Sequence, residues 1–193
     1  FGQKTEVLCS PSEIFIKGAH NLENALAGAA AGYVMGISPA VIGETLKNFR
    51  GVSHRLELVA EIDGVRYVND SKGTNPDAST KALEAYDEPI VLIAGGQNKG
   101  SDFTQLSLKI REKAHSLVLL GECRDEIRDA VEKTGFSRIS EALTLEEAVQ
   151  KAAALAGPGE IVLLSPACAS WDMFKSFEER GERFKQAVMN LRR

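Results

Sequence analysis

Three short segments of this chain combine residues able to hold an anion. Asn69-Asp70-Ser71-Lys72-Gly73-Thr74-Asn75-Pro76 offers a lysine, two hydroxyls and a carboxylate. Gly95-Gly96-Gln97-Asn98-Lys99-Gly100 sets a second lysine among glycines, and Ser165-Pro166-Ala167-Cys168-Ala169-Ser170 adds two more hydroxyls and a thiol. Ammonium groups, hydroxyls and backbone amides exposed by glycine are the donors that a carboxylate or phosphate needs. Each segment has a plainer reading alone: a solvated lysine, a Gly-Gly turn, or a cap that Ser170 supplies to a helix starting at Asp172. Residues 95–100 lack the G-x-x-x-x-G-K-[ST] spacing of a P-loop, which no other segment has either. They also lack the spaced second glycine of G-x-G-x-x-G, which argues against NAD. Cys168 has no His–acid partner recognisable in the sequence, which argues against a nucleophile.

The elements that must position these segments are legible in the hydropathy pattern. Residues 56–62 and 65–68 flank Asp63-Gly64, a strong hairpin signal. Helical patterns cover about 77–85, 103–113, 125–133, 145–155 and 172–190. Strands are expected at 90–94, 116–120, 138–140 and 161–164. The main strands are continuous apolar runs, so both their faces are buried. This predicts an α/β fold: a Rossmann-like open, mainly parallel sheet with helices on both faces and an N-terminal hairpin. In such a sheet ligands bind beyond the carboxyl ends of the strands, and parallel topology brings all three polar segments to that one edge. Their convergence points to a small anionic ligand.

The first fifty residues read differently. Residues 7–9 and 14–16 look β-like, and a small-residue helix follows over about 21–35, with Leu26, Ala29, Ala30 and Tyr33 on one face. Ser38 then caps a helix with Pro39 at its first position, running to about Phe49. So few elements bury little core, which predicts that residues 1–51 are the tail of a larger domain and that 52–193 form the next domain. Phe1 is not an initiator Met, so the chain reads as a piece of a longer protein. His54-Arg55 lies at the joint, either as a surface pair or with the arginine reaching a phosphate or ribose.

With 23 Lys+Arg against 27 Asp+Glu and a net charge of −4, the chain has no field for wrapping nucleic acid. Its three cysteines form no C-x-x-C pair, and His20, His54 and His115 share no ligand spacing, so neither a disulfide framework nor a bound metal is expected. Residues 25–43 carry no charge but are mostly Ala and Gly, broken by Ser38-Pro39, so no membrane span is expected. Reduced thiols and the lack of a signal sequence predict a cytoplasmic protein, and a monomer is expected.

Taken together, the segments resemble the Mur ligases, a family of ATP-dependent amide ligases. Gly18-Ala19-His20-Asn21-Leu22-Glu23-Asn24, His54-Arg55-Leu56-Glu57 and residues 69–76 match segments shared across it, and residues 95–100 complete the set. The Ser165–Ser170 run, continuing to Trp171-Asp172-Met173-Phe174 and Phe177-Glu178-Glu179-Arg180-Gly181, resembles the member that adds D-glutamate. The resemblance implies three domains in the whole protein, of which this chain would hold the end of the central ATP-binding domain and all of the C-terminal amino-acid-binding one. It implies that ATP phosphorylates the carboxylate of UDP-N-acetylmuramoyl-L-alanine and that D-glutamate attacks the acyl phosphate, releasing ADP and phosphate. It further implies that Lys72, Thr74, Lys99, Ser170 and Phe177 hold D-glutamate. Asn21 and Asn24 would approach the adenine, with Arg55 and Asp70 on the ribose or phosphate side. The P-loop and the Mg2+ ligands would lie outside this chain, leaving it inactive alone. Gly73 stands where the family more often has Ala, a change expected to leave the chemistry intact. The competing expectations are another Mur or folylpolyglutamate-type amide ligase, and a non-catalytic nucleotide-binding module.

Overall fold

Small side chains between Ala25 and Gly32 keep a helix thin enough for close approach, and Ser38-Pro39 writes the start of another. The computed structural model, which describes residues 5–191, divides the chain into two units, Phe1–Val52 and Ser53–Arg193. In the first, α1 spans Ala19–Val34 and α2 spans Pro39–Asn48, the latter capped by the Ser38 side chain, which accepts from Val41 N. Gly32 of α1 meets Ile37 and Ile42, so the small-residue stripe does serve helix packing. The buried face of α1 is Ala25 and Ala29, however, and Leu26 and Tyr33 are exposed, so the four-residue face expected from periodicity is corrected. Residues 7–9 and 14–16 form no strand; a single 3-10 turn at Pro11–Glu13 lies between them. A strand needs a neighbour for its N–H and C=O groups, and the described residues of this unit contain none.

The second unit begins with the hairpin. Strand β1 (Glu57–Ile62) pairs antiparallel with β2 (Val65–Asn69) across Asp63 and Gly64, whose φ angles of 51° and 78° are the pair that a two-residue type I′ turn requires. There follow α3 (Pro76–Glu84), β3 (Ile90–Gly95), α4 (Thr104–Lys113), β4 (Ala114–Leu120), α5 (Arg124–Glu132) and β5 (Ile139–Glu141). Helix α6 (Leu145–Leu155), β6 (Ile161–Leu164) and α7 (Phe177–Asn190) complete the chain. The sheet order is β1-β2-β6-β3-β4-β5, parallel everywhere except the β1–β2 hairpin.

Residues 90–94 and 161–164 lack polar alternation because each strand feeds two cores. Ile90, Leu92, Ile161 and Leu163 point into one, with Leu83 of α3, Leu106 and Ile110 of α4 and Ile127 of α5. Val91, Ile93, Val162 and Leu164 point into the other, with Val149 of α6 and Phe184 and Val188 of α7. The result is a three-layer α/β unit, as expected. The last helix departs from expectation: it starts at Phe177, not Asp172. Ser176, rather than Ser170, caps it by accepting from Glu179 N, while the Ser170 carbonyl accepts from Met173 and Phe174 N in a separate turn. No helix among the described residues is long and apolar enough to cross a membrane.

Leu163 is fully buried on the central strand between β2 and β3. Leu163→Ala is therefore expected to lower the stability of the second unit by about 2–5 kcal/mol, read as a shifted midpoint at constant slope in denaturant titration.

Candidate functional site

Strand β6 enters the sheet between β2 and β3 after the chain has passed along β3, β4 and β5. Helices α3 and α4, which follow β2 and β3, pack on one face of the sheet and α7, which follows β6, on the other, so the loops leaving these strands part at the carboxyl edge, the arrangement that opens a ligand crevice. The segment leaving β6 lies there, bonded to both neighbours. Toward the β2 loop, Asp70 N donates to Leu164 O at 2.7 Å and Ala167 N to Gly73 O at 2.9 Å. Toward the β3 loop, Gly95 N donates to Pro166 O at 2.9 Å, and Gln97 and Ala169 exchange backbone bonds of 2.9 and 3.0 Å. Sheet topology alone therefore brings together the three segments singled out in the sequence.

A buried arginine then ties two of them, the loops after β2 and β6. Arg180, on the first turns of α7, is 2% exposed. Its Nε donates to Ser71 Oγ at 2.9 Å, Nη2 to Ser71 O at 2.8 Å and Nη1 to Cys168 O at 3.1 Å. Ser71 Oγ in turn donates to Phe177 O at 2.8 Å. Among the described residues no carboxylate forms an ion pair with this guanidinium, and burial holds its pKa down, at about 10. A Cβ on Gly96 would press on the Ala169 carbonyl and come within 3.3 Å of Nη1, so glycine at 96 is a steric requirement of this packing.

Lys72 and Lys99 differ from the other lysines of the unit in resting on aromatic rings. Lys81, Lys109, Lys113, Lys151 and Lys185 each pair with a carboxylate. Lys72 instead rests its Nζ 3.9 Å from the centroid of the Phe177 ring, and Lys99 its Nζ 3.9 Å from that of Trp171. An aromatic face attracts an ammonium without neutralising it. Both charges therefore stay available, one beside the β2 loop and one beside the β3 loop. Thr74 is half-buried just beyond Lys72, and Ser170 is buried at the root of the turn that carries Trp171.

Of the expected nucleotide residues on this unit, Arg55 is exposed and Asp70 is buried. Asp70 Oδ2 accepts from Ser165 Oγ at 2.8 Å and Oδ1 from Leu56 N at 3.3 Å, which leaves each oxygen one lone pair. Burial raises its pKa to about 7, against the lowering effects of these bonds and of Arg55. Gly73 packs into the same corner, where a Cβ would fall 2.6 Å from Asp70 Oδ2 and 2.9 Å from Ser165 Oγ. The missing methyl thus bears on how Asp70 and Ser165 pack, beyond adding backbone freedom. Asn21 and Asn24 lie on α1 in the first unit, where Asn21 Nδ2 donates to Lys17 O at 2.7 Å and Asn24 is exposed. His54 is no surface residue: it is 6% exposed, its Nδ1 lies 3.0 Å from Asn69 Nδ2, and its ring meets Phe177 edge-on.

Cys168 is buried with its sulfur 2.8 Å from that of Cys123. That contact and burial push its thiol pKa up, the opposite of what a nucleophile needs. Three positions that shape this edge escaped the sequence reading. Arg180 carried a motif match but no role; Trp171 looked like a spacer between Ser170 and Asp172. Asp172, expected to open a helix, instead accepts from Glu122 N at 2.9 Å and pins the loop to the end of β4.

A model of the Mur ligase glutamate ligase domain matches residues 54–168. The UDP-N-acetylmuramoylalanine–D-glutamate ligase of Pelotomaculum thermopropionicum is 60% identical over 188 residues, which are 97% of this chain and 41% of that protein. The chain thus spans about two fifths of the length of the curated relatives it matches. Among solved structures, the UDP-N-acetylmuramate–alanine ligase MurC of Thermotoga maritima superposes with a TM-score of 0.69 at 18% identity, over 92% of this chain and 39% of that one. Folylpolyglutamate synthase of Mycobacterium tuberculosis, complexed with ADP, gives 0.66 at 16% identity, over 90% and 41%. These two likenesses show the fold.

The buried Asp70 carboxyl makes a pH prediction. Its ordinary pKa of 3.8 rises to about 7 on folding, so the folded unit holds the extra proton between those values and loses stability as pH climbs through them. Asp70→Asn removes that dependence. Its stability relative to the unaltered chain is expected to rise by about 4 kcal/mol between pH 4 and pH 8, in paired denaturant titrations; a difference that stays flat contradicts the assignment.

Proposed function

The chain belongs to the Mur ligase family, and from that membership we propose that it is part of the ATP-dependent enzyme that joins D-glutamate to UDP-N-acetylmuramoyl-L-alanine in peptidoglycan precursor synthesis. The 60% identity to a relative bearing that name supports the choice of member. The observation that carries the chemistry is the pair of lysines left un-neutralised on aromatic rings, flanking the loop at the switch point of the sheet.

In the reaction read here, ATP transfers its terminal phosphoryl group to the alanine carboxylate, giving an acyl phosphate and ADP. The amine of D-glutamate, having lost a proton, attacks the acyl carbon; the carbon–oxygen bond to phosphate breaks, and an amide and inorganic phosphate result. The second unit contributes positioning. A dicarboxylate needs two cationic contacts to fix its orientation with the amine left free, and Lys72 and Lys99 provide them. Thr74 and the turn at Ser170 supply neutral donors, and Phe177 forms a wall that also seats Lys72. Arg55 and Asp70 on this unit are assigned to ATP as substrate, and Asn21 and Asn24 keep the adenine role that the resemblance implies. The exposed guanidinium suits a phosphate or ribose oxygen, and the buried Asp70 keeps acceptor positions for a hydroxyl. Mg2+ receives no ligand set in this reading, because the described residues contain no group of three or more His, Cys, Asp or Glu arranged to hold a metal. The enzyme is placed in the cytoplasm, as a monomer, and the chain by itself turns nothing over.

The test is phosphate release by the full-length enzyme that contains this chain. Release is expected only when ATP, UDP-N-acetylmuramoyl-L-alanine and D-glutamate are all present, with L-glutamate inert as acceptor. Lys72→Met and Lys99→Met are each expected to raise KM for D-glutamate at least about tenfold, the scale of a lost charge-assisted contact. Equal turnover with L-glutamate, or an unchanged KM in both variants, overturns the reading.

A further inference from the structure

We infer that Trp171 is a positioning residue for the acidic amino-acid ligand: its ring holds the Lys99 ammonium in place, un-neutralised, so that a carboxylate docks on the free side of the cation. This rests on the D-glutamate reading above and goes beyond it by assigning the ring a role.

The geometry has two parts. Lys99 Nζ stands 3.9 Å from the centroid of the Trp171 ring, and no carboxylate among the described residues forms an ion pair with it. An ammonium resting on a ring spends one side on the π face and keeps N–H donors for an anion on the other. The side chain itself is exposed, and a free lysine there would sample many rotamers that ligand binding must freeze out. The ring lowers that cost in advance.

The backbone below both residues is rigid. Gln97 and Ala169 exchange paired backbone bonds, and Lys99 and Trp171 each lie two residues beyond that bridge. On the far side, Asp172 Oδ2 accepts from Glu122 N, and the Ser170 carbonyl accepts from Met173 and Phe174 N. Trp171 is thus clamped by its neighbours while the residue stays 62% exposed. An indole left in water at a pinned backbone position is poorly explained by packing, whereas seating a cation accounts for it. The exposed ring also keeps the ammonium beside the loop from β6 rather than free in solvent.

Trp171 is the sole tryptophan in the chain, so tryptophan emission reports on the surroundings of this ring. D-glutamate is titrated into the unaltered chain and into Trp171→Leu, Trp171→Phe and Lys99→Met, with binding read by calorimetry and, where tryptophan remains, by emission. In the unaltered chain emission is expected to change in step with calorimetric binding, and Lys99→Met should weaken binding at least about tenfold by both readouts. Trp171→Leu should weaken binding about fivefold with an unchanged melting temperature, and Trp171→Phe should restore it to within about twofold by returning a ring. Leucine binding as tightly as tryptophan, or phenylalanine failing to rescue, overturns the inference and leaves the D-glutamate reading standing. Absence of calorimetric binding to the unaltered chain overturns both.

Discussion

A buried guanidinium bonded to neutral oxygens is the constraint on which the site depends. Arg180 gives up water for Ser71 Oγ, Ser71 O and Cys168 O, with no carboxylate paired to it among the described residues. Burying an uncompensated charge is expensive, and the cost is offset only if every donor is aimed well. The planar fork of arginine reaches acceptors on two loops at once, which the single ammonium of lysine does not. Glycine at 96 follows from it, because any side chain there would displace the Ala169 carbonyl or the guanidinium. So the loops after β2 and β6 are bonded together by a residue arriving from α7, and the β3 loop packs against it at Gly96.

Strain and uncancelled charge collect around that body. His54, Leu56 and Ala167 adopt positive φ angles of 65°, 45° and 61° without being glycine. Left-handed backbone of this kind is unfavourable for L side chains and persists where the surroundings over-determine it. His54 and Leu56 lie against Asn69 and Asp70, and Ala167 bonds the carbonyl of Gly73. Five other lysines of the unit pair with carboxylates, while Lys72 and Lys99 rest on Phe177 and Trp171. A surface built this way presents positive charge to a ligand without first having to break an ion pair.

Much of this was legible in the sequence, for local reasons. Asp63-Gly64 specified its turn because both residues tolerate positive φ, and the unbroken apolar runs at 90–94 and 161–164 reported burial on two faces. The candidate lysines followed from parallel topology, which puts strand ends on one edge. What escaped depended on contacts distant in sequence. Arg180 meets Ser71 from 109 positions away, and a buried arginine bonded to carbonyls has no acidic partner to reveal it. Helix α7 was misplaced by five residues because Ser170 and Ser176 are equally good caps on paper, and the turn at Ser170 decided between them. In the first unit, periodicity named a face of Leu26, Ala29, Ala30 and Tyr33, but only Ala29 of these is buried, together with Ala25.

Amide hydrogen exchange on Arg180→Met beside the unaltered chain tests the organising role of the arginine most directly. If the guanidinium bonds the loops after β2 and β6 and supports the β3 loop at Gly96, exchange accelerates in concert over residues 71–74, 95–98 and 167–170, while the centre of β4 keeps its protection. Unchanged exchange in those loops, or acceleration confined to α7, would contradict it.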